Sequence, residues 1–247
     1  MSELTLVEIL LPLVLFIAAS VQAAGGMGFG LIAGPVMIAT LGSSVGIQAA
    51  VILNLLVALV ACMVGRNIRF DLLLPMIPGV LMGMLVGLVA SLIVPELAMK
   101  TILCLTLGWI CLPARRTGEE VKLHTLKFAM TSGVMGGALA IPGPAAAIYL
   151  RSVISNTQAF RSSMMPLLVF VYLGTGLGIF FTRGIDAAAI EVSLTSGPAA
   201  IAGLLFGILV SRWISDEALK RLTQGILIAT FLSLVMTTTK DLIALAT

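Results

Sequence analysis

The sequence predicts an all-α, polytopic membrane protein made of two inverted repeats, each with a glycine-broken helical hairpin followed by three spanning helices. Composition is the first reason. Of the 247 residues, 60% are hydrophobic and only 10% are charged, whereas soluble domains carry about 25% charged residues. The second reason is that apolar segments recur in two similar sets, each interrupted by a glycine-rich stretch closed by Gly-Pro. The third is that basic residues gather on one side of the resulting topology.

The apolar segments occupy nearly the whole chain. They lie at about 5–23, 28–42, 46–64, 72–94 and 97–112, and again at about 124–138, 143–152, 158–181, 189–210 and 216–239. A full span needs about 20 apolar residues, so little chain is left for a soluble domain. We therefore predict a first membrane repeat over 1–112, a cytoplasmic linker over 113–123 and a second, inverted membrane repeat over 124–247.

The two halves align in order, which indicates an internal duplication. Gly34-Pro35 matches Gly143-Pro144 at an offset of 109 (143 minus 34), and Gln48-Ala49 matches Gln158-Ala159 at 110 (158 minus 48). A further series shares the offset of 120 (198 minus 78): Pro78, Gly83, Gly87 and Lys100 match Pro198, Gly203, Gly207 and Lys220. The ten extra residues fall in a loop, where insertions are tolerated.

Charge placement gives the predicted orientation. If each glycine break is the tip of a hairpin, all Lys and Arg residues except Lys100, Arg183 and Lys240 share one side of the membrane. Cytoplasmic loops are enriched in Lys and Arg, so both termini are predicted to be periplasmic. The repeats then enter from opposite faces, as in alternating-access carriers. The sequence leaves open whether the hairpins span or re-enter, although the short arm at 143–152 favours re-entry.

The two glycine breaks form the candidate functional site. They read A-A-G-G-M-G-F-G-L-I-A-G-P over Ala23–Pro35 and S-G-V-M-G-G-A-L-A-I-P-G-P over Ser132–Pro144. Broken helices occur at membrane depth only where they are buried in protein or line a cavity. The N–H groups that begin each second arm carry the positive end of a helix dipole, and glycine lets an oxyanion approach the backbone closely. The alternative is that these glycines only permit tight helix crossing.

The predicted substrate-binding residues combine these glycines with polar side chains at or near membrane depth. They are Gly25, Gly26, Gly28, Gly30, Asn54, Ser132, Gly136, Gly137, Gly143 and Arg161. The predicted hinge or break positions are Pro35, Pro142 and Pro144, because proline removes a donor and fixes φ where a helix bends or restarts. Asn54 could instead bond a neighbouring helix, and Arg161 could extend to the cytoplasmic interface.

Other classes of function receive no support from the residues. His124 is the single histidine and lies beside the linker, and no acidic residue falls in mid-span, so an intramembrane protease would lack its base or its carboxylate pair. No P-loop or metal motif is present, and we predict no enzyme activity, cofactor or metal. The scattered basic residues predict no nucleic-acid partner. A small anion and the lipid bilayer are the expected partners. Small-residue seams such as Gly79-x-x-x-Gly83-x-x-x-Gly87 could pack within the chain or in a homodimer.

Three stretches resemble the TauE/SafE family of sulfite and organosulfonate exporters: G-G-M-G-F-G-L-I-A-G-P-V, S-G-V-M-G-G-A-L-A-I-P-G-P, and T-Q-A-F-R-S-S at 157–163. The resemblance implies a bacterial inner-membrane secondary transporter that exports sulfite, sulfoacetate or a related organosulfonate by alternating access. It would place the substrate near Gly25–Gly30 and Gly136–Pro144, with Arg161 as the basic position after the second hairpin. The sequence departs from the family's pattern in having Val51 where Arg161 aligns, and I-P-G-P where a longer glycine run is common. A non-transporting membrane assembly subunit and a passive anion channel remain as alternatives.

Overall fold

The computed structural model describes residues 3–95 and 125–211, with single positions between 97 and 105 and between 213 and 239. Over these residues the protein is helical, with short connections. The predicted segment at 97–112 is described at only a few positions, and the predicted linker at 113–123 lies outside the described residues. The predicted segment at 216–239 is described only in part.

The described helices follow the predicted segments closely. They are α1 (Glu3–Gly25), α2 (Phe29–Leu41), α3 (Ser43–Val64), α4 (Phe70–Leu73), α5 (Ile77–Ile93), α6 (Thr125–Leu139), α7 (Gly143–Val153), α8 (Thr157–Arg183) and α9 (Ala187–Val210). A 3-10 turn joins α4 to α5. Within the described part of the chain, four stretches are long and apolar enough to cross a membrane: Ser44–Val64, Phe70–Ile93, Thr157–Arg183 and Ala187–Val210. The predicted all-α membrane fold is therefore confirmed.

Large apolar side chains cover the outer surface of α5, α8 and α9. Those exposed include Leu81, Leu85, Val89, Leu173, Leu177, Phe180, Leu205, Phe206 and Leu209. Such contiguous apolar surface is unfavourable against water but not against lipid. The protein is therefore a membrane protein whose outer helices face the bilayer.

Polar caps fix the starts of α8 and α9. The Asn156 side-chain oxygen accepts a hydrogen bond from the Ala159 N–H at 2.8 Å, and Asp186 Oδ1 accepts one from the Ala188 N–H at 2.9 Å. Gln48 on α3 accepts a third, from the Asp186 N–H at 2.7 Å. These bonds satisfy backbone donors that would otherwise be left at the helix ends. Gln48 also ties α3 to the connection between α8 and α9.

The repeat-related helices α3 and α8 pack antiparallel. Gly65, at one end of α3, lies against Ser162, and a Cβ added there would be 3.6 Å from Ser162 Cβ. Further along, a Cβ at Gly176 would lie 3.4 Å from Val51 Cγ1. Residue numbers therefore fall along α3 as they rise along α8. This direction is expected of inverted repeats, which stay a prediction for the chain as a whole.

A first glycine seam joins α5 to α6. A Cβ added at Gly83 or Gly87 would overlap the backbone carbonyl of Met130 or Val134, respectively. Both residue numbers rise together, so the two helices run parallel. Close backbone approach of this kind stabilises helix pairs in membranes. This seam therefore lies within the chain.

A second glycine seam joins α9 to α1 in the same way. Gly203 and Gly207 leave room for the backbone carbonyls of Phe16 and Ser20. Ser20 Oγ also donates a hydrogen bond to the Gly203 carbonyl at 2.9 Å. The two helices again run parallel. The first helix of each hairpin thus packs on the last fully described helix of the other predicted repeat.

The second arm of each hairpin is too short to cross a bilayer. α2 has 13 residues and α7 has 11, so their lengths are about 20 and 17 Å, against a hydrocarbon core of about 30 Å. Residues of both arms, including Met37 and Leu150, are fully buried in the protein. Both arms are therefore too short to span the bilayer alone, which agrees with the predicted re-entry of the second hairpin.

Pro35 does not end a helix, so the predicted break does not lie at this residue; its role as a hinge stays a prediction. It lies inside α2, which continues to Leu41, and the break precedes it. Losing one backbone donor does not end a membrane helix whose other groups stay paired. Pro142 and Pro144, in contrast, lie at the cap and in the first turn of α7, where a proline leaves no intrahelical bond unmade.

Candidate functional site

The first break runs from Gly26 to Gly28 between α1 and α2. Gly26 has φ 79° and Gly28 has φ 139°, backbone conformations that favour glycine. Gln22 bridges the break, because its Oε1 accepts a hydrogen bond from the Phe29 N–H at 3.1 Å. Gln22 is only 1% exposed, and its Nε2 has no partner among the described residues. The break thus presents a buried, unused amide donor.

The second break runs from Ala140 to Pro142 between α6 and α7. Ala140 has φ 57°, a left-handed conformation that is strained for alanine. Ser132 Oγ donates a hydrogen bond to the Pro142 carbonyl at 2.8 Å, and the Ile141 N–H donates one to the Met135 carbonyl at 3.2 Å. These bonds hold the break against α6.

The two breaks meet. A Cβ added at Gly30 would lie 3.1 Å from the Ala140 carbonyl oxygen and 3.0 Å from Tyr172 Oη, and one at Gly143 would lie 3.5 Å from Met27 Cβ. From this point α2 leads to the start of α3 and α7 leads to the start of α8. Because α3 and α8 are antiparallel, these starts lie at opposite ends of the molecule. The N-termini of α2 and α7 therefore face each other.

A small central cavity lies between these N-termini. Its volume is ≈ 10 Å³, about the space that one water needs. Its described lining is neutral and consists of Gln22, Met27, Gly28, Gly30, Leu31, Ile141, Gly143, Pro144, Leu168 and Tyr172. Tyr172 is near the middle of α8, so the cavity lies near half depth. We call it the central cavity.

Two further polar side chains lie next to the central cavity. Asn54, near the middle of α3, has its Nδ2 3.6 Å from the Cβ position of Gly30 and donates from it to the Ala50 carbonyl at 2.8 Å. Thr175 follows Tyr172 by one helical turn. Asn54 Oδ1 and Thr175 Oγ1 are buried without a partner among the described residues. Buried polar atoms of this kind are costly at membrane depth and indicate a function.

A larger cavity opens beside the first break, and we call it the basic vestibule. Its volume is ≈ 800 Å³, and it lies between the ends of α1, α3 and α9 and the start of α8. Its polar lining includes Arg66, Gln158, Arg161 and Ser162. Gly26 forms part of the boundary, since a Cβ added there would lie 3.2 Å from Arg161 Cα. The first hairpin tip therefore separates the basic vestibule from the central cavity.

Two serines of α8 position the loop that carries Arg66. The Arg66 N–H donates to Ser162 Oγ at 3.1 Å, and the Arg69 N–H donates to Ser163 Oγ at 2.9 Å. Both serines are buried. The loop between α3 and α4 is thereby held at the mouth of the basic vestibule.

The predicted site residues divide into three groups in the structure. Gly28, Gly30 and Gly143 line the central cavity with Asn54 beside it, whereas Gly26 and Arg161 lie at the basic vestibule. The remaining residues, Gly25, Ser132, Gly136 and Gly137, lie elsewhere: Gly25 ends α1, Ser132 braces the second break, and Gly136 packs against Val171 and Pro142.

Gly137 packs on α5 against the Met84 carbonyl. For this residue the structure favours tight helix crossing, the alternative raised by the sequence. Tyr172, Thr175 and the free donor of Gln22 were not among the predicted site residues. Their signal in the sequence is a polar group within an otherwise apolar span.

Comparison with known proteins gives a match to a family. The family model described as "Sulfite exporter TauE/SafE" matches residues 11–234. This range includes both breaks and the described lining of both cavities. No curated protein and no solved structure matches the chain.

Proposed function

Because the chain belongs to the TauE/SafE family of sulfite exporter-type membrane transporters, we propose that it is a secondary transporter that exports a small oxyanion by alternating access. The substrate is sulfite, sulfoacetate or a related organosulfonate. The membrane is the bacterial inner membrane, with both termini in the periplasm and the basic vestibule facing the cytoplasm. The positions of Arg66, Arg69, Lys127, Arg151 and Arg161 at one end of the helices, with Arg183 at the other, support this orientation.

One observation carries the proposal: two helix N-termini face each other across a cavity that also receives a buried amide donor from Gln22, which has no partner among the described residues. Each N-terminus carries about half a positive unit charge. Helix N-termini bind anions through free N–H groups and this dipole. In secondary transporters, half-helices of this kind bind anionic substrate groups near mid-membrane.

The two cavities give a route for the anion. Arg66 and Arg161 attract it into the basic vestibule, and the tip at Gly26 then separates it from the central cavity. Since the central cavity has a volume of only ≈ 10 Å³, the two hairpins must move apart to admit an oxyanion. α1 is joined to α9 and α6 to α5 by their glycine seams, so each hairpin would move together with a helix of the other repeat. Movement of one hairpin or the other would open opposite faces.

Flux measurements with purified protein in proteoliposomes test the proposal. We expect saturable transport of ³⁵S-labelled sulfite by the wild type. Gln22→Glu keeps an oxygen to accept from the Phe29 N–H but replaces the free donor with an anionic oxygen. It should lower flux by about tenfold or more, since a hydrogen bond to a charged group contributes about 1.5–3 kcal/mol. Gln48→Glu is the matched control, because Gln48 also caps a backbone N–H but lies far from the cavity.

The same assay separates the alternatives. Absence of flux by the wild type contradicts the proposal and favours a non-transporting assembly subunit. Ion currents far above carrier turnover favour a passive channel. The small volume of the central cavity in this conformation supports a carrier.

Removing the charge of Arg161 should slow transport at low ionic strength. We expect Arg161→Gln to raise the apparent KM by about threefold to tenfold, with the difference shrinking as salt screens the vestibule. Arg69→Gln is the control, because Arg69 is on the same face but pairs with Asp71 in solvent at 2.7 Å. An unchanged KM for Arg161→Gln at every salt concentration would exclude Arg161 from the route.

A further inference from the structure

We infer that the central cavity selects singly charged oxyanions and rejects dianions. The inference rests on the proposed function and specifies its substrate class by charge. It follows from the amount of positive charge at the cavity, the polarity of its lining and the location of the nearest cations.

The positive charge at the central cavity amounts to about one unit. The N-termini of α2 and α7 each contribute about half a unit, and no described lining residue is charged. Arg66 and Arg161 lie in the basic vestibule instead, beyond the tip at Gly26. A singly charged guest is therefore matched by the two dipoles, and a second negative charge has no counter-charge among the described residues.

The rest of the lining makes a second charge more costly. Leu31, Ile141 and Leu168 are apolar walls of the cavity, and the Born cost of desolvating an ion rises with the square of its charge, about fourfold from one unit to two. Acceptors also lie beside Gly30, one of the residues that line the cavity. The Ala140 carbonyl lies beside Gly30, and Asn54 Oδ1 is buried without a partner among the described residues.

These acceptors further favour singly charged oxyanions over dianions. A dianion such as sulfate offers only lone pairs, which repel carbonyl oxygens. A singly charged oxyanion presents either an S–OH group that can donate to an acceptor or an apolar corner that fits the apolar walls. Hydrogen sulfite is of the first kind and an alkanesulfonate is of the second. Export of either would therefore leave cellular sulfate in place. Sulfoacetate carries two negative charges at neutral pH, so this inference excludes it from the substrates proposed above and retains hydrogen sulfite and singly charged sulfonates.

Methanesulfonate and sulfate give a direct test, because they have similar size and shape and differ by one charge. Their binding to the purified wild-type protein in nanodiscs would be measured by isothermal titration calorimetry at constant ionic strength. Inhibition of ³⁵S-sulfite flux by each anion would be measured in parallel. We expect methanesulfonate to bind and to inhibit at least about tenfold more tightly, equivalent to about 1.4 kcal/mol.

Met27 provides a variant that changes the charge at the same place. Its side chain lies at the first tip, lines the central cavity and is partly exposed. The methylene chain of a lysine would therefore take the place of the methionine side chain. Met27→Lys should reduce the preference for methanesulfonate over sulfate by about tenfold, whereas Met27→Gln, which is similar in length but neutral, should keep most of the preference.

The outcomes separate the inference from the proposed function. If sulfite is transported and sulfate competes as well as methanesulfonate, the inference is overturned and the proposed function stands. If neither anion binds and sulfite is not transported, the proposed function fails as well. The wild-type comparison decides both questions even if Met27→Lys does not fold.

Discussion

Replacing Gly30 with leucine should abolish anion transport while leaving the protein folded. A Cβ at this position already lies 3.0 Å from Tyr172 Oη and 3.1 Å from the Ala140 carbonyl oxygen. The remaining side-chain atoms would fill the central cavity, and because its volume is only ≈ 10 Å³ the two hairpin tips would have to separate slightly to hold them. No space would then be left between the tips for an anion. We expect flux to fall by at least about a hundredfold, because the site is filled rather than weakened, a loss of about 2.7 kcal/mol or more.

Gly34 is the control for this change. It lies one helical turn further along α2, and a Cβ there would be 3.8 Å from Ile141 Cδ1, an ordinary contact. We expect Gly34→Ala to transport normally and Gly30→Ala to be clearly slower. Thermal unfolding and the amount of protein in the membrane would be measured beside flux. Transport by Gly30→Leu at the wild-type rate would show that the substrate does not pass between the breaks.

Replacing Gly137 with leucine should have the opposite result: loss of the folded protein itself. Its Cβ would overlap the Met84 carbonyl on α5, so α5 and α6 would have to separate. Forcing large side chains into a packed interface typically costs about 1–3 kcal/mol and sometimes more, and here it opposes backbone rather than a movable side chain. We expect little monodisperse protein after detergent extraction and a strongly lowered melting temperature.

Two comparisons make this prediction specific. Gly203→Leu, at the equivalent seam between α9 and α1, should show the same loss. Gly225→Leu should not, because no atom of the described residues lies within 4 Å of a Cβ at that position. A Gly137→Leu protein that is normally folded but no longer binds anions would instead place Gly137 in the substrate site, as the sequence predicted.

The helices could be predicted because their boundaries depend on local properties. Apolar runs and the glycine breaks mark where each helix starts and ends. The matched offsets between the halves also predict which helices are related, and α3 and α8, which they pair, pack on each other. Hydropathy and the positions of glycine and proline were sufficient to predict the helix boundaries.

The partners of the glycines could not be predicted, because a glycine indicates close approach without naming what approaches. Gly30 faces the other break, whereas Gly137 faces α5, and both stand in similar stretches of sequence. Tyr172 was not predicted because a tyrosine within an apolar span resembles other aromatic residues. Only the structure shows that its hydroxyl lies beside Gly30. Pro35 does not end α2 as a break would, because a proline removes one hydrogen bond but does not by itself end a packed helix.

The packing of each hairpin on a helix from the other half of the chain makes the two halves depend on each other. Within the part of the chain that the structure describes, the glycine seam of α1 is formed with α9, and the glycine seam of α6 is formed with α5. Either half of the chain alone would therefore lack the helix that covers its hairpin in the described structure. We expect neither half to insert and fold when it is expressed without the other.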